Sequence, residues 1–119
     1  MKRLTLILFA SLITSGAGAA SAPDFTGRWA IDPQGCKIMG DTSETAPMFV
    51  TKTTIDWFVA ACTMKKMYLT GNALHIQARC SNEGKVSMTP IALELRNPDT
   101  LRVTWDGSRI KRDMRRCPQ

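Results

Sequence analysis

The sequence predicts an all-β domain, a small antiparallel meander barrel or sandwich of about seven or eight strands held by two disulfides. Three observations carry this. Apolar and polar residues alternate with period two through most of the chain, as a half-buried strand requires. Turn-forming clusters recur roughly every ten residues, too close together for anything but hairpin connections. Cys36, Cys62, Cys80 and Cys117 give an even cysteine count in a chain of 119 residues that opens with an apolar leader, the composition of a small exported scaffold.

The elements follow in order. Phe25, Gly27, Trp29 and Ile31 share one face of a first strand, which ends at Asp32-Pro33-Gln34-Gly35. Residues 36–47 are polar and turn-rich. Met48 to Thr54 is rich in strand formers, and Ile55 to Met64 is apolar on both faces, which predicts one central strand; Trp57, Phe58 and Val59 favour strand over helix there. Tyr68 to Leu69 and Ala73 to Ile76 flank a Gly71-Asn72 turn. Leu74, Ile76, Ala78 and Cys80 alternate with His75, Gln77 and Arg79, and Asn82-Glu83-Gly84 is a turn. Val86 to Leu95 is a strand whose apolar pattern shifts near Pro90, predicting a bulge or an edge position. After Asn97-Pro98-Asp99, Leu101, Val103 and Trp105 form another strand, and Asp106-Gly107 turns into Arg109 to Arg116.

Folding the chain about residue 71 sets Cys62 nearly opposite Cys80, which leaves Cys36 to reach Cys117; the alternative is Cys36 with Cys62 and Cys80 with Cys117. Each bridge contributes about 2–4 kcal/mol, a large share of the stability of so thin a core. No pair has the C-x-x-C spacing of a redox site or zinc ribbon.

Met1-Lys2-Arg3, an uncharged apolar run from Leu4 to Ile13, and small residues from Gly16 to Ala22 form the three parts of a secretory signal. Cleavage is expected after Ala19, so residues 1–19 are the leader and residues 20–119 one disulfide-stabilised domain. The apolar run is too short to span a bilayer as a helix. A bacterial periplasmic or secreted protein is expected, without a transmembrane segment.

Charge is uneven. Residues 20–95 carry seven basic and seven acidic side chains; residues 96–119 carry seven basic and three acidic. Arg109, Lys111, Arg112, Arg115 and Arg116 therefore form a candidate surface for an anionic partner, an envelope lipid or glycan. Nucleic acid is disfavoured, because residues 106–119 lack the aromatics that stack on bases. The same cations also suit a guarded edge strand.

Nothing in the sequence assembles a catalytic centre. His75 is the one histidine and falls on the polar face of its strand; every cysteine is assigned to a disulfide, and there is no glycine-rich phosphate loop. Met64 and Met67 read as core packing rather than copper ligands, and the Asp41 to Glu44 loop lacks the alternating oxygens of a calcium loop. No catalytic residue, metal site or cofactor is expected.

Phe25-Thr26-Gly27-Arg28-Trp29 holds a Gly-x-Trp followed by Cys36. In an exported chain of this size it resembles the bacterial alkaline metalloprotease inhibitors, small periplasmic calycin-type barrels, over its first third, through Gly27, Trp29, Cys36 and Cys62. The resemblance implies an eight-stranded barrel with a final-strand arginine stacked on Trp29, a role for Arg112 or Arg115, and an inhibitory segment ahead of the barrel, here Ala20 to Asp24. The family carries one disulfide where this chain has cysteines for two. The expected function is a non-catalytic binding protein with a protein partner, an inhibitor of a protease or other hydrolase, presenting the loop Gly40, Asp41, Thr42, Ser43 and Glu44; the alternative is an envelope protein that binds anionic lipid or glycan through the basic C-terminal strand.

Overall fold

The computed structural model describes residues 22–40 and 43–119. The assigned leader, the start of the expected N-terminal segment (Ala20, Ser21), and Asp41 and Thr42 of the candidate loop lie outside the described residues. Eight antiparallel strands, β1 (Gly27–Ala30), β2 (Met48–Val50), β3 (Thr54–Trp57), β4 (Ala60–Thr70), β5 (Ala73–Asn82), β6 (Lys85–Asn97), β7 (Thr100–Trp105) and β8 (Ile110–Arg116), form a meander that closes into a barrel. Closure is made by β8 on β1, with Trp29 opposite Arg116 and Ala30 opposite Arg115. One end of the barrel carries residues 31–40 and 43–47 and the β3–β4, β5–β6 and β7–β8 turns; the other carries residues 22–26, the remaining turns and Cys117.

Ile55 to Met64 is not one strand. The chain reverses at Phe58 and Val59, which take φ of 47° and 61°, and Trp57 pairs with Ala60. Two consecutive left-handed residues are what a two-residue hairpin of this hand demands, and Asn-Gly supplies them most readily. Phe-Val gives no turn signal, so the reversal is imposed by the pairing of β3 with β4 and of Trp57 with the core, against local preference. The strand expected over Met48 to Thr54 is likewise divided. Thr51 Oγ1 accepts from the Thr53 and Thr54 amides at 3.2 and 3.0 Å and so builds a turn from residues that read as strand formers.

The disulfides are Cys36–Cys117 and Cys62–Cys80. The second depends on a register correction. The Gly71-Asn72 turn, with Gly71 at φ 58°, pairs Thr70 with Ala73 and would set Cys62 against Ser81. One extra residue in β4 between Met64 and Lys66 shifts the ladder so that Cys62 faces Cys80. Cys36 reaches Cys117 because the chain after β1 doubles back over the outside of β1 as a short 3-10 helix (Pro33–Lys37), capped by the Asp32 carboxylate accepting from the Gln34 amide at 2.9 Å. Gly35 is buried under this turn, where a Cβ would lie 2.2 Å from the Thr45 carbonyl oxygen; no other residue fits.

At Pro90 the β5–β6 ladder runs through without a bulge, with Gln77 opposite Pro90, whereas the β6–β7 ladder stops one residue later at Ile91. Of the two readings of Pro90, edge is right and bulge is not. The apolar pattern shifts because the apolar side chains change face: Ile91 and Leu93 point into the core, while Val86 and Met88 point outward and are exposed. All eight strands contribute to the core, which includes the fully buried Trp29, Met48, Ile55, Leu93, Leu101 and Met114. Trp57 meets Trp105 edge-on at 5.5 Å near the loop end.

Candidate binding surface

The basic C-terminal strand is divided by its own alternation. Met114 is the one fully buried residue of β8, so Arg112 and Arg116, two residues either side of it, turn inward, and Lys111, Asp113 and Arg115 turn outward. Arg116 is the arginine over Trp29, with its guanidinium carbon 4.2 Å from the ring centroid. This corrects the expectation of Arg112 or Arg115. Its three nitrogens also donate to the carbonyls of Pro98 (3.1 Å), Thr26 (2.7 Å) and Asp24 (3.0 Å). Gly27, at φ 132°, lets it approach: a Cβ there would lie 3.1 Å from Nη1. Trp29 Nε1 donates to the Phe25 carbonyl at 2.9 Å, so the segment before β1 is tied to the barrel. Beside it Asp24 accepts from the Thr26 hydroxyl and amide, which hold its carboxyl below the usual aspartate range.

Arg112 works at the opposite end, where it pairs with Glu44 through its Nε. The Glu44 carbonyl accepts from Trp57 Nε1 at 3.1 Å. The candidate loop is thereby bolted to the barrel mouth through Glu44. Ser43 is half-buried and shares a hydrogen bond with Thr45 at 2.7 Å, while Gly40 is exposed at φ 96°. Of the five basic residues proposed as one surface, Arg109, Lys111 and Arg115 remain directed to solvent, and Arg109 leans on Asp106 at 3.6 Å. The outward Asp113 pairs with Arg102 at 3.0 Å, which lowers the Asp113 pKa and raises that of Arg102.

The surface that the sequence did not disclose lies on the outer wall of β4 to β7. Direct cross-strand partners place Tyr68, His75, Ala92, Thr104 and Lys111 in one row across five strands. A second row holds Lys66, Gln77 and Pro90. Ala92 and Pro90 are small, and they lie between Tyr68 and His75 on one side and the Gly107-Ser108 turn on the other. The result is an open groove of about 520 Å³. Gly107 donates to the Pro90 carbonyl at 3.3 Å, holding that wall in place. His75 is stacked on Tyr68, with ring centroids 4.7 Å apart and planes 12° from parallel, and its Nε2 lies 2.8 Å from Thr70 Oγ1. His75 therefore sits on the outer face, as its alternation predicts, but half-buried in a stack. Among the described residues it makes no hydrogen bond to a carboxylate, and no three His, Cys, Asp or Glu side chains cluster as a metal site. A smaller hollow of about 230 Å³ opens at the terminal end between Phe25, Lys52, Met64 and Met67. A sequence signal for the groove existed: Tyr68 and His75 are symmetric about the Gly71-Asn72 turn.

Comparison with family models, curated proteins and solved structures gives no match for this chain. The molecule is defined by its own features: a small disulfide-bonded β-barrel, with a packed interior and an open groove on the outer wall. The two disulfides indicate an oxidising, exported location. Among the described residues no helix is long and apolar enough to cross a membrane.

Proposed function

We propose that this is an exported, non-catalytic binding protein, in the bacterial periplasm or outside the cell, whose partner is another protein and whose effect is inhibition of a protease or other hydrolase. The observation that carries this reading is the outer groove. Tyr68 and His75 offer a flat aromatic face locked by stacking, Gln77 and Lys66 offer donors, and rigid strands hold all four. Aromatic, preorganised faces of this kind carry most of the energy in protein recognition. The barrel interior is occupied by side chains such as Trp29 and Leu93, which favours a partner on the surface over a small ligand inside. The resemblance to the metalloprotease inhibitors points the same way through Gly27, Trp29 and Cys36.

The anionic lipid or glycan reading has less behind it, because Arg112 and Arg116 are occupied by Glu44 and Trp29. The test is a panel of exported metalloproteases, serine proteases and lysozymes assayed with stoichiometric mature protein. Loss of activity of at least one enzyme is expected, together with its recovery when Tyr68 and His75 are replaced by Ala. Retention on anionic liposomes at physiological salt, with no enzyme inhibited, would instead favour the envelope reading.

A further inference from the structure

The first five residues of β6, Lys85 to Thr89, run past the end of β7, whose last pair is Trp105 with Ile91. Their other side is paired with β5. Backbone groups alternate sides along a strand, and the Pro90 carbonyl, given to Gly107, points to the β7 side. The amide N–H and C=O groups of Val86 and Met88 share that parity, so they face the space that β7 leaves, and no strand of the described residues takes them. Pro90 marks the boundary, since its missing N–H points the same way. Val86 and Met88 are 55% and 56% exposed, side by side on the outer face. A protected edge would carry charge or a bulge at those positions; this one carries two apolar side chains.

We infer that this edge accepts an extended, acidic segment of a partner protein as an added strand, a deepening of the protein-binding reading above and dependent on it. The backbone of the segment bonds to Val86 and Met88, and its apolar side chains cover theirs. Charge selects the occupant. Arg79 lies opposite Met88 on β5, Lys85 starts the edge and Lys66 lies in the groove, against two nearby acids, Glu83 and Asp106, the second of which is paired with Arg109. A strand laid along Lys85 to Thr89 meets the Gly107-Ser108 turn at Pro90 and is deflected over the outer wall into the groove, where Lys66, Gln77 and His75 receive it. A second copy of this chain fits less well: five residues of edge bury far less than the roughly 800 Å² per partner of a stable interface, and the copy brings the same cations.

The experiment uses the oxidised mature protein and a synthetic ten-residue peptide of alternating valine and glutamate, with a valine–lysine peptide as control. Calorimetry and amide exchange are read together. The acidic peptide is expected to bind at least tenfold tighter than the basic one at low salt, with slowed exchange at Val86 and Met88. Met88→Pro removes an N–H that faces the open edge rather than β5 and should weaken binding at least tenfold. Met88→Glu keeps the backbone intact and should weaken it through charge, which covers the case in which the proline variant misfolds. The proposal is overturned if the acidic peptide does not bind, if both variants bind as the wild type does, or if those amides are already slow through self-association seen by sedimentation. Enzyme inhibition that persists unchanged in Met88→Pro removes the added strand and leaves the binding function standing; absence of inhibition across the panel, with the peptide result intact, removes only the hydrolase as target.

Discussion

Arg116→Ala tests how the barrel is closed. The guanidinium holds three separate pieces of chain, at Asp24, Thr26 and Pro98, while covering the Trp29 ring. The bonds to Asp24 and Pro98 are exposed and the one to Thr26 is partly buried, so water replaces the first two donors at little cost and the third at more. Charge-assisted bonds in such settings contribute about 1–2 kcal/mol each, and the cation–π contact about 1 kcal/mol at a half-exposed site. Truncation should therefore destabilise the protein by about 3 kcal/mol. In a domain of this size that lowers Tm by roughly 12–24 °C. The assay is thermal unfolding of the oxidised mature protein, followed by near-ultraviolet circular dichroism, which reports Trp29. Arg116→Lys should recover only the charge, and less than half of the loss, because an ammonium cannot address three carbonyls and a ring together. A Tm within 3 °C of wild type for Arg116→Ala would refute the reasoning and move closure onto the Cys36–Cys117 bridge alone.

The bridges should differ in weight. Cys36–Cys117 closes a loop of 81 residues and Cys62–Cys80 one of 18, so replacing both cysteines by Ala should cost about 4.5 kcal/mol for the first and about 3 for the second, measured by urea unfolding. Replacing Phe58-Val59 by Asn-Gly places residues suited to φ of 47° and 61° in the turn and should stabilise the protein by about 1–2 kcal/mol; a fall in urea midpoint would show that Phe58 is held by contacts that outweigh the strain. Asp24 and Asp113 have lowered pKa values in the fold, from Thr26 and Arg102 respectively, so their contribution is present above the ordinary aspartate value of about 4 and is lost as pH falls through the lower folded values. Both are exposed, so the effect is small; Tm should decline from pH 5 to pH 2, and Asp113→Asn should show a shallower decline than the wild type.

The barrel was legible because its signals are local and repeated. The Gly71-Asn72 turn and the alternation of β5 and β7 each needed only neighbouring residues, whereas the Cys62–Cys80 pair, suggested by near-symmetry about residue 71, comes into register only through the extra residue in β4. What escaped was decided by distant contacts. Phe58-Val59 turns because β3 and β4 pair on either side of it, and no propensity of phenylalanine or valine announces that. Arg112 and Arg116 read as surface charge in composition, yet the lone apolar Met114 between them already fixed which face of β8 points inward. That signal was present and was outweighed by the simpler picture of a basic strip. The groove was hidden for a different reason: it depends on which small residue, Ala92 or Pro90, lies opposite which large one across four strands, and that register is a property of the closed sheet.

The two ends of the barrel are secured by the same means. Each carries an inward arginine of β8, one over Trp29 and one against Glu44, that ties a connecting segment to the wall. Between them β7 and β8 are short, at six and seven residues, while β6 runs for 13. A closed meander with strands of unequal length must leave the longest strand unpaired somewhere, and here the excess falls at Lys85 to Thr89. Charging Val86 and Met88 would protect this edge without touching the core, because neither side chain points inward; shortening β6 would not, because Thr89 is buried and Lys85 to Thr89 pair with Ala78 to Asn82 of β5. Val86 and Met88 give the core nothing and leave an apolar edge beside an open groove, and it is this pairing of features that the proposed partner strand would cover.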